Sequence, residues 1–432
     1  VSGYNVQLGN TFTNNGTLKL YDTSEETKGS ITTSKTMTNN GTLNVEDITI
    51  SQSKNDNTMN NTSTGTLNIK NATIKGLNGY AVYDSGKLTM DSNSSLIANK
   101  YSLYNNEQEP LEISAGTLSG IVTNKELIIS GDTTINSTST SDACIHSTTA
   151  NIKITMTGGT CISNNIGVSM QGNSQTFEMS GGTIESKGHA IYQNTYKLNV
   201  HIKNGTIKAN GRVLHTDSYN YMSNSDYRNN FVFDDGELES NSDITLYGYG
   251  NNITVNGGTV TNTSSNRDRY SVYITNYSSY TQNGGKIYAP NASGIYSYAS
   301  TINLNDGEVE VNTSNGYGVY LYDTVINING GKITTTGGSS SGIYTLYYSA
   351  TVNMRGGEIN SNYIGIWVET YNSSSNYDKN LNIYDGKIVG KTYGIYSNNN
   401  RTIIRVGNNS KTYDLENEEE AESFINEPYI SG

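Results

Sequence analysis

The sequence predicts an all-β chain, wound as a three-sided parallel β-helix of about 16 turns. Three observations predict it. One glycine motif recurs through the chain, an alternating segment precedes it, and a Gly-Ile-Tyr segment follows it after a polar stretch of variable length.

The glycine motif, x-Gly-x-apolar, is the first element. It reads NNGTL at Leu18 and Leu43, STGTL at Leu67, DSGKL at Leu88 and SAGTL at Leu118. It continues loosely at Ile135, then at Cys161, Ile184, Ile207, Leu238, Val260, Ile287, Val309, Ile333, Ile359 and Ile388. The mean spacing is roughly 25 residues, within the 20–50 residue range of solenoid repeats. The alternating segment is the second element: TINLND carries Ile302 and Leu304, VINING carries Ile326 and Ile328, and TVNMRG carries Val352 and Met354. Period-two alternation marks a strand with one face buried. Ile328 and Ile333 are an odd step apart, so a straight strand would point them to opposite faces; positive φ at Gly330–Gly331 would turn the corner and bring both inward. The third element reads GIYSY at 294–298, GVYLY at 318–322, GIYTL at 342–346, GIWVE at 365–369 and GIYSN at 394–398, with earlier forms at 81–85, 190–194 and 271–275.

Composition agrees with a narrow core under a large polar surface. The 432 residues are 33% hydrophobic and 15% charged, with 45 Gly, 34 Tyr and 3 Pro. Disordered chains are also polar, but they lack this β-branched and aromatic content. One inward residue in two reconciles the polarity with folding. Turns stacked at about 4.8 Å would make a rod on the order of 75–80 Å long. A single β-helix is expected over residues 1–410. The acidic stretch 415–426, LENEEEAESFIN, reads as one short helix within a segment 411–432 that leads into a further turn or linker. The chain opens VSGYNVQLGN and closes NEPYISG, both mid-pattern, so we expect a piece of a longer protein.

The GGxI and GIY residues, over about 14 to 400, resemble the right-handed parallel β-helices of the pectate-lyase-like superfamily. Within it they are most similar to the Asn/Thr/Gly-rich repeat regions of bacterial adhesin-like cell-surface proteins. The resemblance implies right-handed winding and an extracellular, cell-surface place. It implies no single activity, because this fold carries lyases, hydrolases, tailspikes and adhesins.

A formal charge of −12 disfavours nucleic acid and anionic membranes as partners. No apolar run approaches the roughly 20 residues of a membrane helix. Resembling lyases need clustered acidic Ca²⁺ ligands with a basic residue, and resembling hydrolases need paired aspartates near Gly-His-Gly. The best acidic pair, Asp234–Asp235, occupies a turn position where other repeats carry NG or GG, which reads as turn chemistry. His189 is followed by Ala190 and breaks the Gly-His-Gly pattern. His146 and His215 fall in the Tyr column and read as surface residues rather than a metal pair. Arg267 to Arg269 reads as a charged loop. The expectation is therefore no catalytic residue, no metal and no cofactor. Cys161 stands in the inward column and Cys144 in the Gly column; their 17-residue separation is less than a turn, which argues against direct stacking. The NGT and NTS triplets are expected by chance in such a chain.

If Ile of Gly-Ile-Tyr points inward, Tyr points outward. Stacking the turns then aligns Tyr83, Tyr104, Tyr192, Tyr273, Tyr296, Tyr320, Tyr344, Trp367 and Tyr396, with Tyr298 and Tyr322 beside them. The candidate ligand-binding residues are Tyr273, Tyr296, Tyr298, Tyr320, Tyr322, Tyr344, Trp367 and Tyr396, since the stripe is most regular after residue 270. The same rings could simply stack on each other and stabilise the sheet. The leading expectation is a non-catalytic stalk or adhesin module whose aromatic face meets a glycan or a host or partner protein. A polysaccharide lyase or glycoside hydrolase is the second; it would need a cleft of long corner insertions beside a carboxylate cluster, and the Tyr/Asn/Ser-rich insertions near 101–115, 216–230 and 369–380 suit sugar contact but supply no acid–base pair. End-to-end self-association through unpaired strand edges is the third.

Overall fold

The computed structural model of the chain describes residues 1–217, 225–369, 377–407 and 429–431. The expected helix at 415–426 lies outside the described residues, as do the central parts of the 216–230 and 369–380 insertions. The fold is a parallel β-solenoid of about 16 turns, with three strands to a turn. It divides into two compact units, Val1–Ala209 and Asn210–Gly432.

In the N-terminal unit a representative turn runs through Ile166–Met170, Thr176–Met179 and Thr183–Ser186, on the first, second and third faces. The next turn repeats the order, with Val168 paired to Ile191, Phe177 to Val200 and Ile184 to Ile207. All six side chains are buried. In the C-terminal unit the corresponding strands are Ser293–Tyr298, Thr301–Leu304 and Glu308–Val311. Register pairs Ile295 with Val319, Ile302 with Ile326 and Val309 with Ile333. Like residues therefore stack on like, and each inward column is nearly continuous aliphatic surface.

The glycine motif is not one column. Leu18, Leu43, Leu67 and Leu88 pair in sequence along the second face, so their glycines lie at the corner between first and second faces. Leu118, Ile135, Cys161, Ile184 and Ile207 pair along the third face, so their glycines lie at the corner between second and third. The motif changes corner between Gly86 and Gly116. The hydrogen-bonded ladder of the second face is interrupted at the same place, between Lys87–Met90 and Leu111–Ile113. The two corners need glycine for different reasons. A Cβ on Gly41 would sit 2.1 Å from the Gly16 carbonyl oxygen, so the backbone approach forbids one. Gly331 has φ +75°, which L-residues with side chains avoid. That turn brings both Ile328 and Ile333 inward, as the odd spacing required.

Asparagine accounts for much of the polar surface. On the second face Asn327 donates to Asn303, Asn353 to Asn327 and Asn382 to Asn353, each at 2.9 Å. At the following corner Asn256 donates to Asp234, Asn283 to Asn256, Asn305 to Asn283 and Asn329 to Asn305, at 2.8–2.9 Å. A side-chain amide both donates and accepts, so it can repeat such a bond from turn to turn.

Candidate functional site

The aromatic residues of the C-terminal unit fall into register on the first face. His215 pairs with Tyr247, Tyr247 with Tyr273, Tyr273 with Tyr296 and Tyr296 with Tyr320. Tyr320 then pairs with Tyr344, Tyr344 with Trp367 and Trp367 with Tyr396. The aliphatic residue before each ring from Tyr247 to Trp367, such as Ile295 or Val319, is buried, which turns the ring outward. Glycine precedes that aliphatic residue because the backbones close here: a Cβ on Gly294 would lie 2.3 Å from the Gly318 carbonyl oxygen.

The rings contact each other along the column. Tyr273 and Tyr296 stack in parallel, with centroids 4.4 Å apart and planes 11° apart. Further on the contacts turn edge-on: Tyr296–Tyr320 at 5.3 Å and 84°, Tyr344–Trp367 at 5.3 Å and 74°, Trp367–Tyr396 at 6.4 Å and 79°. Parallel stacking hides ring faces, whereas edge-on contacts leave more of a face uncovered. Tyr298 and Tyr322 form a second line, with centroids 5.0 Å apart, which continues through Tyr348 and Tyr377 at 4.7 and 4.9 Å.

Several partners of this face escape a search for Gly-Ile-Tyr alone. Tyr270 and Tyr317 sit three residues before Tyr273 and Tyr320; Tyr270 leans on Tyr296 at 5.2 Å and Tyr317 stacks on Tyr344 at 4.5 Å. Tyr363 and Tyr393 pack beside Trp367 and Tyr396. A recurrent Tyr three or four positions upstream of the column was the available signal. The Arg212 guanidinium lies 3.9 Å over the Tyr247 ring, a cation–π contact that the sequence did not mark.

Burial is uneven. Tyr344 is 6% exposed and donates its hydroxyl to Glu369 at 2.5 Å. Tyr273, Tyr296, Tyr298, Tyr320, Tyr322 and Trp367 are half-buried, and Tyr396 is exposed. Burial first, then neighbouring phenols, holds Tyr296 and Tyr320 neutral well above the usual phenol range; burial and the bond to Glu369 do the same for Tyr344. Tyr322 is pushed up to about 12, again chiefly by burial. On this face the exposed rings are Tyr393 and Tyr396 at the end of the column and Tyr348 and Tyr377 in the second line, while Trp367 is half-buried. Beside Tyr298 an open groove of about 590 Å³ is lined by Arg228, Tyr277, Ser279, Asp323 and Val325, among others.

In the N-terminal unit the same column reads Tyr83, Tyr104, Val122, His146, Ser169, Tyr192. Tyr83 and Tyr104 stack at 4.6 Å, but Val122 and Ser169 interrupt the line. His146 has Val122 and Ser169 as column neighbours, and His215 has Tyr247, so neither imidazole meets the other in its ladder. Asp234 and Asp235 do turn chemistry: Asp234 accepts from Asn256, and Asp235 accepts from the Gly236 amide at 2.8 Å. Among the described residues no three His, Cys, Asp or Glu side chains group as metal ligands would, and no helix is long and apolar enough to cross a membrane. Cys144 and Cys161 are free and buried. They do not share a column, in keeping with their spacing, but their thiols meet across the core, where burial and the Cys144 contact raise Cys161.

A buried lysine was not anticipated. Lys379 is fully covered and donates to Thr345 Oγ1 at 2.8 Å, to the Leu346 carbonyl at 3.4 Å and to the Tyr348 carbonyl. Burial lowers it to about 8. Its phase with Leu381 and Ile383 was the sequence signal. Compared with protein-family models, with curated proteins and with solved structures, the chain matches none of them.

Proposed function

We propose that this chain is a binding module that presents an aromatic face to a saccharide, as part of a bacterial adhesin-like cell-surface protein with a pectate-lyase-like β-helix. The observation that carries the reading is the continuous column from Tyr247 to Tyr396, flanked by the Tyr298–Tyr377 line. Sugar rings offer apolar C–H faces and polar rims. Rigid aromatic rings with hydroxyl tips, set among asparagine and serine, match both. The exposed end at Tyr393 and Tyr396, backed by Trp367, is the part suited to ring-on-sugar stacking. The half-buried rings toward Tyr273 serve chiefly to hold that surface flat.

The test is a glycan array probed with the whole chain, alongside Trp367→Ala, Tyr396→Ala and Tyr348→Ala, and Tyr83→Ala as a variant in the interrupted N-terminal part of the column, outside the Tyr247–Tyr396 run. Selective binding that falls about tenfold in each of the first three, and is unchanged in Tyr83→Ala, is the expected result. Absence of any glycan signal with retained binding to a protein partner would replace the saccharide reading. Release of new reducing ends or unsaturated products from a bound polysaccharide would replace the non-catalytic one.

A further inference from the structure

The first face of the N-terminal unit carries an inward polar column at its end: Asn14, Asn39, Asn61, Asp84 and Asn105, all buried and in register from turn to turn. Asn14 Nδ2 donates to Asn39 Oδ1 at 2.8 Å and to the Thr42 carbonyl at 3.0 Å. Asn39 Nδ2 donates to Asn61 Oδ1 at 2.7 Å and to the Thr66 carbonyl at 3.1 Å. Asn61 Nδ2 donates to Asp84 Oδ1 at 2.7 Å and to the Lys87 carbonyl at 3.0 Å. Each amide thus passes one bond to the side chain of the next turn and one to its backbone.

At Asp84 the series meets a residue with no amide. Its Oδ1 accepts from Asn61 Nδ2, and the Gly86 amide approaches the carboxyl, as the amide two residues on approaches Oδ1 of Asn14 and Asn105. Its Oδ2 occupies the place of the amide nitrogen and is buried, with no hydrogen-bond partner among the described residues. The next residue in the column, Asn105, uses its own Nδ2 on Thr123 Oγ1 at 3.0 Å and the Glu126 carbonyl at 3.2 Å. What it turns toward the preceding turn is therefore acceptor. An ionised carboxylate at 84 would leave a buried oxygen anion facing oxygens, which is costly.

We propose that Asp84 is held as the neutral acid, its Oδ2–H donating toward the Asn105 turn in place of the missing amide, so that the N-terminal unit loosens when this proton is lost. The charged groups nearby are Glu107, Glu109 and Lys87. Glu107, two residues beyond the strand that ends at Asn105, is raised to about 7 by burial and then by Asp84; Lys87 opposes that and Glu109 adds to it. Asp84 itself is raised to about 6, by burial first, against the bonds from Asn61 and Gly86 that lower it. A carboxyl raised on folding stabilises the fold below its unfolded value, and that contribution is lost as pH rises through the folded value. The window is therefore about pH 4 to 7.

The experiment compares the whole native chain with Asp84→Asn and Glu107→Gln, by thermal unfolding and by amide exchange of strands 59–61, 82–84 and 103–105, at pH 4.5 and 7.5, with and without 1 mM Ca²⁺. The native chain should lose roughly 5 °C and exchange protection in these strands between the two pH values. Asp84→Asn, which supplies a permanent donor, should match the native chain at pH 4.5 and exceed it at pH 7.5. Glu107→Gln should remove only the part of the loss that Glu107 itself contributes and leave the part that Asp84→Asn removes. Parallel curves for native and Asp84→Asn, or lower stability of that variant at pH 7.5, would overturn the proposal. So would a Ca²⁺-dependent rise at pH 7.5 in the native chain alone, which would make the oxygen cluster a cation site.

Discussion

Tyr296, Tyr320 and Tyr344 lie in one file, half or fully covered, and burial favours their neutral phenols. A group raised on folding stabilises the fold at pH values below its ordinary titration and ceases to do so above it. A spectrophotometric titration should therefore show part of the 34 tyrosines ionising near pH 10, and Tyr296, Tyr320 and Tyr344 only with unfolding at higher pH. The two cysteines give a second expectation at the level of single side chains. Both are free and buried, so a thiol reagent should label neither within minutes under native conditions and both after denaturation. The sequence placed Cys161 inward, correctly, because its motif position is apolar in the other turns. It could not show that Cys144 meets it, since that contact depends on how two faces converge across the core rather than on spacing along either. Lys379 was hidden for a similar reason. Alternation with Leu381 and Ile383 assigns it to the core, but polarity weighs against that until the three oxygens around its ammonium are seen.

Individual strands here are three to six residues long for the most part, too short to be stable alone, and each depends on its ladder. The glycine, alternating and Gly-Ile-Tyr segments were legible as strands and corners because their periods are local. Which corner a glycine serves was not. The motif looks identical at Leu67 and Leu118, yet pairing puts one on the second face and the other on the third. The asparagine files were equally hidden, since Asn at a corner reads as turn chemistry. Inward amides make bonds that no water can replace, so truncation should cost more there than outside. Asn39→Ala is expected to lower stability by about 1–3 kcal/mol in urea unfolding, against a few tenths for Asn283→Ala in the exposed file. Equal costs would mean that the buried amides are not carrying their turns.

In a solenoid each turn touches only its neighbours, so stability is distributed along the chain rather than held in one centre. The candidate face follows the same logic. It was readable as a column because the fold repeats, but its mix of parallel and edge-on contacts arises from rotamers and from upstream tyrosines that repeat imperfectly. Local protection should track burial. Amides of Val168 and Ile295, in strands whose inward residues are fully covered, should exchange far more slowly than those of Val6 and Ile404, whose side chains are 36% and 46% exposed. Hydrogen exchange read by mass spectrometry checks this directly; uniform protection would indicate a single cooperative block.

The change of glycine corner between Gly86 and Gly116 limits how the chain can be edited. Whole turns are interchangeable parts only where their corners agree. Removing the stretch from Gly41 to Thr64 would join Asn40 to Gly65, the glycine of an equivalent corner, and leave the apolar files in line. Splicing a turn from beyond residue 116 into the first 86 would bring a left-handed glycine to a corner that wants close backbone contact, and a side-chain-bearing residue to the place where Gly41 meets the Gly16 carbonyl. Lengthening or shortening this protein by turns therefore means working within one dialect of its repeat or the other.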